Sequence, residues 1–224
     1  SYGMINFKFN SKIKLLDNLE YFNQDLIKNE TMFFNSSKEF AHLHAGPITK
    51  AFLASVETYL SSIGVDDYIF DSRVHMLMKG WFPCIPGFHH DDVPRSLPNK
   101  QPNYYNPEYH AKHIMGLVNG DICPTQFALG ECELPDVAVD EMYYKKWHPI
   151  VDELCNQNKL QRYDLIGNPV VLFDAHTFHQ GQQAKTGGFR WFGRVSWNTD
   201  RVKNASNEIR RQANVYLPVP MEGW

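Results

Sequence analysis

The 224-residue chain contains no run of about 18 consecutive apolar residues, and its mean hydropathy is −0.44, which excludes a membrane-spanning helix. Its first residues, SYGMINFKFN, lack the basic-then-apolar pattern of a secretory signal, and residues 1–3 ahead of Met4 read as an expression remnant. Neither sign of charge is in excess: 22 Lys and Arg face 25 Asp and Glu, for a net charge of −3. That balance argues against a surface built to bind duplex nucleic acid, although a local basic channel stays compatible with it. The four cysteines, Cys84, Cys123, Cys132 and Cys155, form no CxxC pair and no zinc spacing. Free buried thiols in a reducing cytoplasm are the expectation. Repeats, low-complexity tracts and linkers are absent as well. With 43% hydrophobic residues the chain can bury a core, and it reads as a single soluble domain over 1–224.

What is present begins with a helix. Pro47 occupies a first helical position, Ile48, Phe52, Val56, Leu60 and Ile63 follow at steps of three or four, and Gly64 stands where a C-terminal cap belongs. A weaker helical pattern runs over 13–27, preceded by a short strand suggested by Phe7 and Phe9. Residues 4–66 are therefore expected to form an N-terminal helical layer. From Tyr68 onward, short apolar runs punctuated by Gly, Pro, Asn and Asp predict strands at 68–70, 74–78, 113–118 and 169–173, and a long one at 189–197. Two insertions interrupt them. Residues 93–112 carry Pro94, Pro98, Pro102 and Pro107 with Tyr104, Tyr105 and Tyr109, which reads either as a lid placed to cover a site or as an ordered surface loop. Residues 137–160 look helical, with a break near Pro149. The expected fold is mainly β with flanking helices, its core a jelly roll or barrel over 67–200.

The ten histidines are unevenly spread. His89 and His90 adjoin Asp91 and Asp92 in PGFHHDDVPR, and about ninety residues later His176 and His179 flank a turn after VVLFD. In an extended chain residues i and i+2 point to one side. Either His89 with Asp91, or His90 with Asp92, would thus present an imidazole and a carboxylate together. One further histidine from a facing strand completes a two-histidine, one-carboxylate set with open coordination positions, suited to non-haem Fe(II) and oxygen. Downstream, Arg190 and Arg194 lie four apart in FRWFGRVSW, so an unbroken strand turns both to one face. A guanidinium buried there is costly unless it meets an anion such as a carboxylate.

Over roughly 73–198 the chain resembles the Fe(II)/2-oxoglutarate-dependent dioxygenases. GFHHD is similar to the family's aromatic-His-x-Asp form, with Phe88 as the aromatic, and HQGQQAKTGGFRWFGRVSW is similar to its distal segment. The resemblance implies a distorted double-stranded β-helix and iron bound by His89, Asp91 and His179. It also implies 2-oxoglutarate anchored by Arg190 and O2 consumed with release of succinate and CO2. Asp91, where the halide-binding variant has a small residue, implies hydroxylation as the default outcome. Demethylation, desaturation and ring formation are its variants.

The roles of other residues stay open. Arg194 suits a substrate contact, a second carboxylate ligand or a structural ion pair, and His176 a capping or supporting role. His113 opens the strand HIMGLV and could face the interior; Thr125 follows a turn where the family often has a small polar residue. His42, His44, His75, His110 and His148 read as satisfied polar residues. The run RVKNASNEIRRQ, with Arg201, Lys203, Arg210 and Arg211 diluted by Glu208, reads as a solvated helical face. The expected substrate is a small molecule, an amino acid or natural-product intermediate. A nucleobase or peptide side chain comes second, and a non-catalytic cupin-like binding module is the alternative of another class.

Overall fold

The computed structural model describes residues 6–105, 110–204 and 209–218. Residues 1–3, Met4, Pro107, Tyr109 and Glu208, named above, lie outside them. The N-terminal part holds strands β1 (Asn6–Ser11), β2 (Lys14–Asn18), β3 (Met32–Phe33) and β4 (Ser36–Ser37), with helices α1 (Gln24–Lys28), α2 (Lys38–His44) and α3 (Pro47–Ser62). Then come β5 (Ile69–Leu77), β6 (Lys112–Val118), β7 (Gln126–Pro135), helix α4 (Tyr143–Asn156), β8 (Gln161–Asp164), β9 (Pro169–Asp174), β10 (Phe178–Gln180), β11 (Gly188–Trp197) and β12 (Ile209–Arg210). The protein is mainly β and its named sheets are antiparallel. A six-stranded sheet runs β2-β9-β6-β11-β5-β4; a second is built on β7, which pairs β1 along one half and β10 and β8 along the other.

Alternation along the central strands decides the layering. On β11, Trp191 and Val195 point to the cluster that includes Phe52 and Val56 of α3, and Ile114, Val118 and Val170 of the neighbouring strands join them. The opposite face brings Met115, Leu117, Val171, Phe173 and Phe192 against Phe127 of β7, so the two sheets meet there. Beyond the smaller sheet, α4 packs Tyr143, Trp147, Val151 and Cys155 against Phe9, Ala128 and Phe178. Gly116 lets α3 approach, since a Cβ there would stand 2.5 Å from the Phe52 ring.

Several elements depart from the sequence-based expectation. The N-terminal layer is not purely helical: β1 and β2 are strands of the two sheets, and β2 with the short α1 replaces the helix expected over 13–27. The strands expected at 68–70 and 74–78 are one, β5. Asp71, Ser72 and Arg73 interrupt its apolar pattern because partners from elsewhere meet two of them. Ser72 Oγ accepts from Phe33 N, and Asp71 from Asn35 N, Arg201 and Arg210. Arg201 and Arg210 therefore point inward, and the described part of their segment includes β12 rather than a solvated helix. Helix α4 passes through Pro149 without ending. Pro149 and Lys145, whose carbonyl loses its helical donor, are both exposed, so water can satisfy that group. The four cysteines are free, and no helix among the described residues is long and apolar enough to cross a membrane.

Helix α3 starts at Gly46 and Pro47 with no side-chain cap of its own. Glu30, buried and 18 residues before Ile48, supplies one: its carboxylate accepts from Ile48 N (3.3 Å) and Thr49 N (3.0 Å). A carboxylate suits a helix N-terminus through both hydrogen bonds and the dipole. Glu30→Ala should lower the unfolding free energy by about 1–2 kcal/mol in urea titration.

Candidate metal centre

His89, Asp91 and His179 come together on the inner side of the sheets. One ligand atom from each lies within 4.8 Å of the others, so the three could hold a metal ion. His179 is on β10, in register with Phe127, and a bridge of two backbone hydrogen bonds joins it to His89 (3.0 and 3.2 Å). This bridge closes the ninety-residue gap between the two halves of the motif. Phe88, fully buried against the α4 layer, fixes the chain just ahead of it.

The ring orientations suit a metal. Nδ1 of His89 lies 2.9 Å from the Gly87 carbonyl, and Nδ1 of His179 lies 3.1 Å from that of Thr177. A carbonyl only accepts, so both Nδ1 atoms carry hydrogen and both Nε2 atoms turn inward. His89 Nε2 is 3.6 Å from Asp91 Oδ1 and His179 Nε2 is 3.0 Å from Asp91 Oδ2. Lone pairs converging this closely need a cation among them, a proton or a metal ion. Burial, reinforced by the neighbouring His179 ring, lowers the pKa of His89, which favours the neutral, ligating form. Burial opposes ionisation of Asp91, but the facing His179 ring and the Arg194 guanidinium outweigh it and hold its carboxyl well below the usual range.

The chain matches no family model, no curated protein and no solved structure. The chemistry of the site is thus carried by its own geometry.

The other register, His90 with Asp92, is directed elsewhere. His90 turns into the aromatic cluster, 3.9 Å from the Phe178 ring centre, and its Nδ1 meets the Tyr104 hydroxyl at 2.7 Å. Asp92 takes a left-handed backbone (φ 63°) and accepts from Arg201 and Thr199. Arg194 bonds Asp91 Oδ2 at 2.7 Å, so among its open roles it acts as an ion-pair partner of the candidate ligand. His113 is buried behind the motif, with Nδ1 2.7 Å from Ser196 Oγ and Nε2 3.3 Å from the Asp91 carbonyl. It orients the loop rather than lining the cavity. His176 packs on His110, Phe9 and Tyr104, away from the cavity.

A cavity of about 340 Å³ adjoins the three ligands, and Arg190, Thr125, Arg194, Arg73 and His75 also line it. Arg190 is 2% exposed; its Nη2 donates to Thr125 Oγ1 at 3.0 Å and its Nε has no partner. Among the described residues no carboxylate pairs with it. The groups whose ionised forms would stabilise its charge are the Cys123 and Cys84 thiols. Burial pushes the Cys84 thiol up to about 11 and raises that of Cys123, so both are neutral at pH 7. A guanidinium buried in this way is costly unless it meets an anion. Sequence reasoning placed Arg190 on this face but missed His75 and Arg73 of β5. They stand opposite Arg190 and Phe192, two residues apart and so on one face of β5, and that spacing was the available signal.

Across His89 lies a second cleft of about 530 Å³, between the metal-motif segment, the 93–105 segment and α4. Its walls are largely apolar, with Ile85, Tyr104, Met142, Trp147 and Phe178 among them, and Arg95 and Gln101 at its polar edge. The described part of the expected lid thus forms one wall of a cleft next to the metal centre.

Proposed function

We propose that this protein is an Fe(II)- and 2-oxoglutarate-dependent oxygenase on a double-stranded β-helix core, acting on a small molecule. The observation that carries the reading is one cavity holding both the two-histidine, one-carboxylate set and a buried arginine without an anion. The set fits Fe(II) in ligand type and leaves positions for other ligands. When bound, iron, 2-oxoglutarate and O2 would supply the oxidation, with succinate and CO2 as co-products.

The protein's part is binding, orientation and exclusion of water. His89, Asp91 and His179 would hold the metal, their rings fixed by the Gly87 and Thr177 carbonyls. Arg194 keeps Asp91 ionised and turned inward. Arg190 and Thr125 would receive the carboxylate of the co-substrate remote from the metal, paired as a guanidinium pairs a carboxylate. Substrate would lie in the aromatic-walled cleft that shares His89 with the cavity. Its size and apolar lining suit a small organic molecule with an apolar body. Hydroxylation is the default outcome.

Anaerobic addition of Fe(II) and then 2-oxoglutarate tests this without a substrate. A saturable visible charge-transfer band, absent with Fe(II) alone, is the expected result. Iron bound with no band at any 2-oxoglutarate concentration would leave a metal-binding module and overturn the proposal.

A further inference from the structure

His75 lies directly opposite Arg190, on β5, and both line the cavity beside the candidate ligands. It is 3% exposed, and neither of its ring nitrogens has a hydrogen-bond partner. Leaving a buried polar group unpaired costs about 1–3 kcal/mol, so a histidine with two such atoms needs an explanation. Metal ligation does not supply one, because the candidate cluster among the described residues is His89, Asp91 and His179.

The surroundings identify the missing partner. Burial first, then the charges of Arg190, Arg73 and Arg210, push the pKa of His75 down to about 3, so the ring is neutral with one N–H donor. Arg73, beside it on the strand, makes no ion pair among the described residues. This end of the cavity thus offers the Arg190 guanidinium, the Thr125 hydroxyl and an unused imidazole N–H, and among the described residues no carboxylate pairs with Arg190 or His75. An anionic, planar acceptor with several lone pairs fits that set, and an alcohol or an alkyl chain does not.

We propose that His75 is a specificity-determining residue: with Arg190 and Thr125 it forms a three-sided seat that selects a ligand ending in a second carboxylate. The inference rests on the oxygenase reading, since that ligand is 2-oxoglutarate. It adds that a neutral imidazole, rather than the guanidinium alone, discriminates the carboxylate terminus.

The test measures equilibrium binding to the anaerobic Fe(II)-loaded protein by calorimetry. The probes are 2-oxoglutarate and 2-oxopentanoate, in which a methyl group replaces the remote carboxylate. His75→Leu should weaken 2-oxoglutarate binding about tenfold, the loss of one hydrogen bond to a charged group. Affinity for 2-oxopentanoate should hold, and His75→Gln should recover most of the lost 2-oxoglutarate affinity. Unchanged Fe(II) affinity in both variants certifies the fold. Equal 2-oxoglutarate affinity in wild type and His75→Leu, or an equal loss for both probes, would refute the role of His75 while leaving the oxygenase reading standing. Failure of the wild-type protein to bind 2-oxoglutarate would instead sink both.

Discussion

Asp91→Ala should abolish retention of a divalent metal and, in the metal-free protein, also lower stability. The two losses have different causes. Metal affinity goes because the one carboxylate of the candidate set is removed, leaving two imidazoles whose Nε2 atoms no longer converge with an anion. Stability goes because Arg194 donates to Asp91 Oδ2 at 2.7 Å and is itself largely buried. Removing one partner of such a pair strands the other charge, at about 2–3 kcal/mol here. That is below the cost for a fully buried pair, because the Asp91 and Arg194 side chains keep 21% and 15% of their exposure. Asp71 and Asp92 also act on Arg194 and soften the loss. Asp91→Asn separates the causes: the amide can still accept from Arg194, so most of the stability should return while the metal stays lost. Metal content after dialysis and urea unfolding of the metal-free forms give the two readouts. Metal retained by Asp91→Ala at wild-type affinity would remove Asp91 from the centre.

The sequence foretold this constellation better than the sheets that build it. A period of two is enough to put Arg190 and Arg194 on one face of β11, and it holds because Trp191 and Val195 of the other face are needed against α3. The spacing of His89 and Asp91 is equally visible, but His90 and Asp92 have the same spacing. Only the preceding Phe88 favoured the first pair. The structure separates the pairs through contacts no local window contains: Tyr104 and Phe178 take His90, and Arg201, over a hundred residues away, takes Asp92. The same non-locality hid β5. Read alone, Asp71 and Arg73 look like a break between two short strands, yet Arg201 and Arg210 neutralise Asp71 from the far end of the chain. It also hid β1 and β2, whose strand character comes from pairing with β7 and β9 rather than from a strong pattern of their own. In the sequence His75 reads as a satisfied polar residue, because its lack of a partner is a property of the assembled cavity.

Arg190→Met should make the metal-free protein more stable and, on the proposed function, weaken the binding of 2-oxoglutarate. The guanidinium is buried, donates to one hydroxyl, leaves its Nε unpaired and faces no ionised carboxylate. Burial lowers its pKa, and the Cys84 and Cys123 thiols, raised by burial, are neutral at pH 7 and give it no counter-charge, which is the sign of a charge held at a cost. A methionine of similar reach removes that cost and fills the space, so the unfolding free energy should rise by about 1–3 kcal/mol. In the Fe(II)-loaded protein the same change should weaken 2-oxoglutarate binding by about a hundredfold, as expected when a buried charged partner is lost. Affinity for the metal itself should be unchanged. A structural arginine predicts the reverse on both counts, a drop in stability and no effect on the ligand. The crossing of the two effects in one variant is what assigns Arg190 to a bound anion rather than to the fold, and urea titration beside calorimetry reads both.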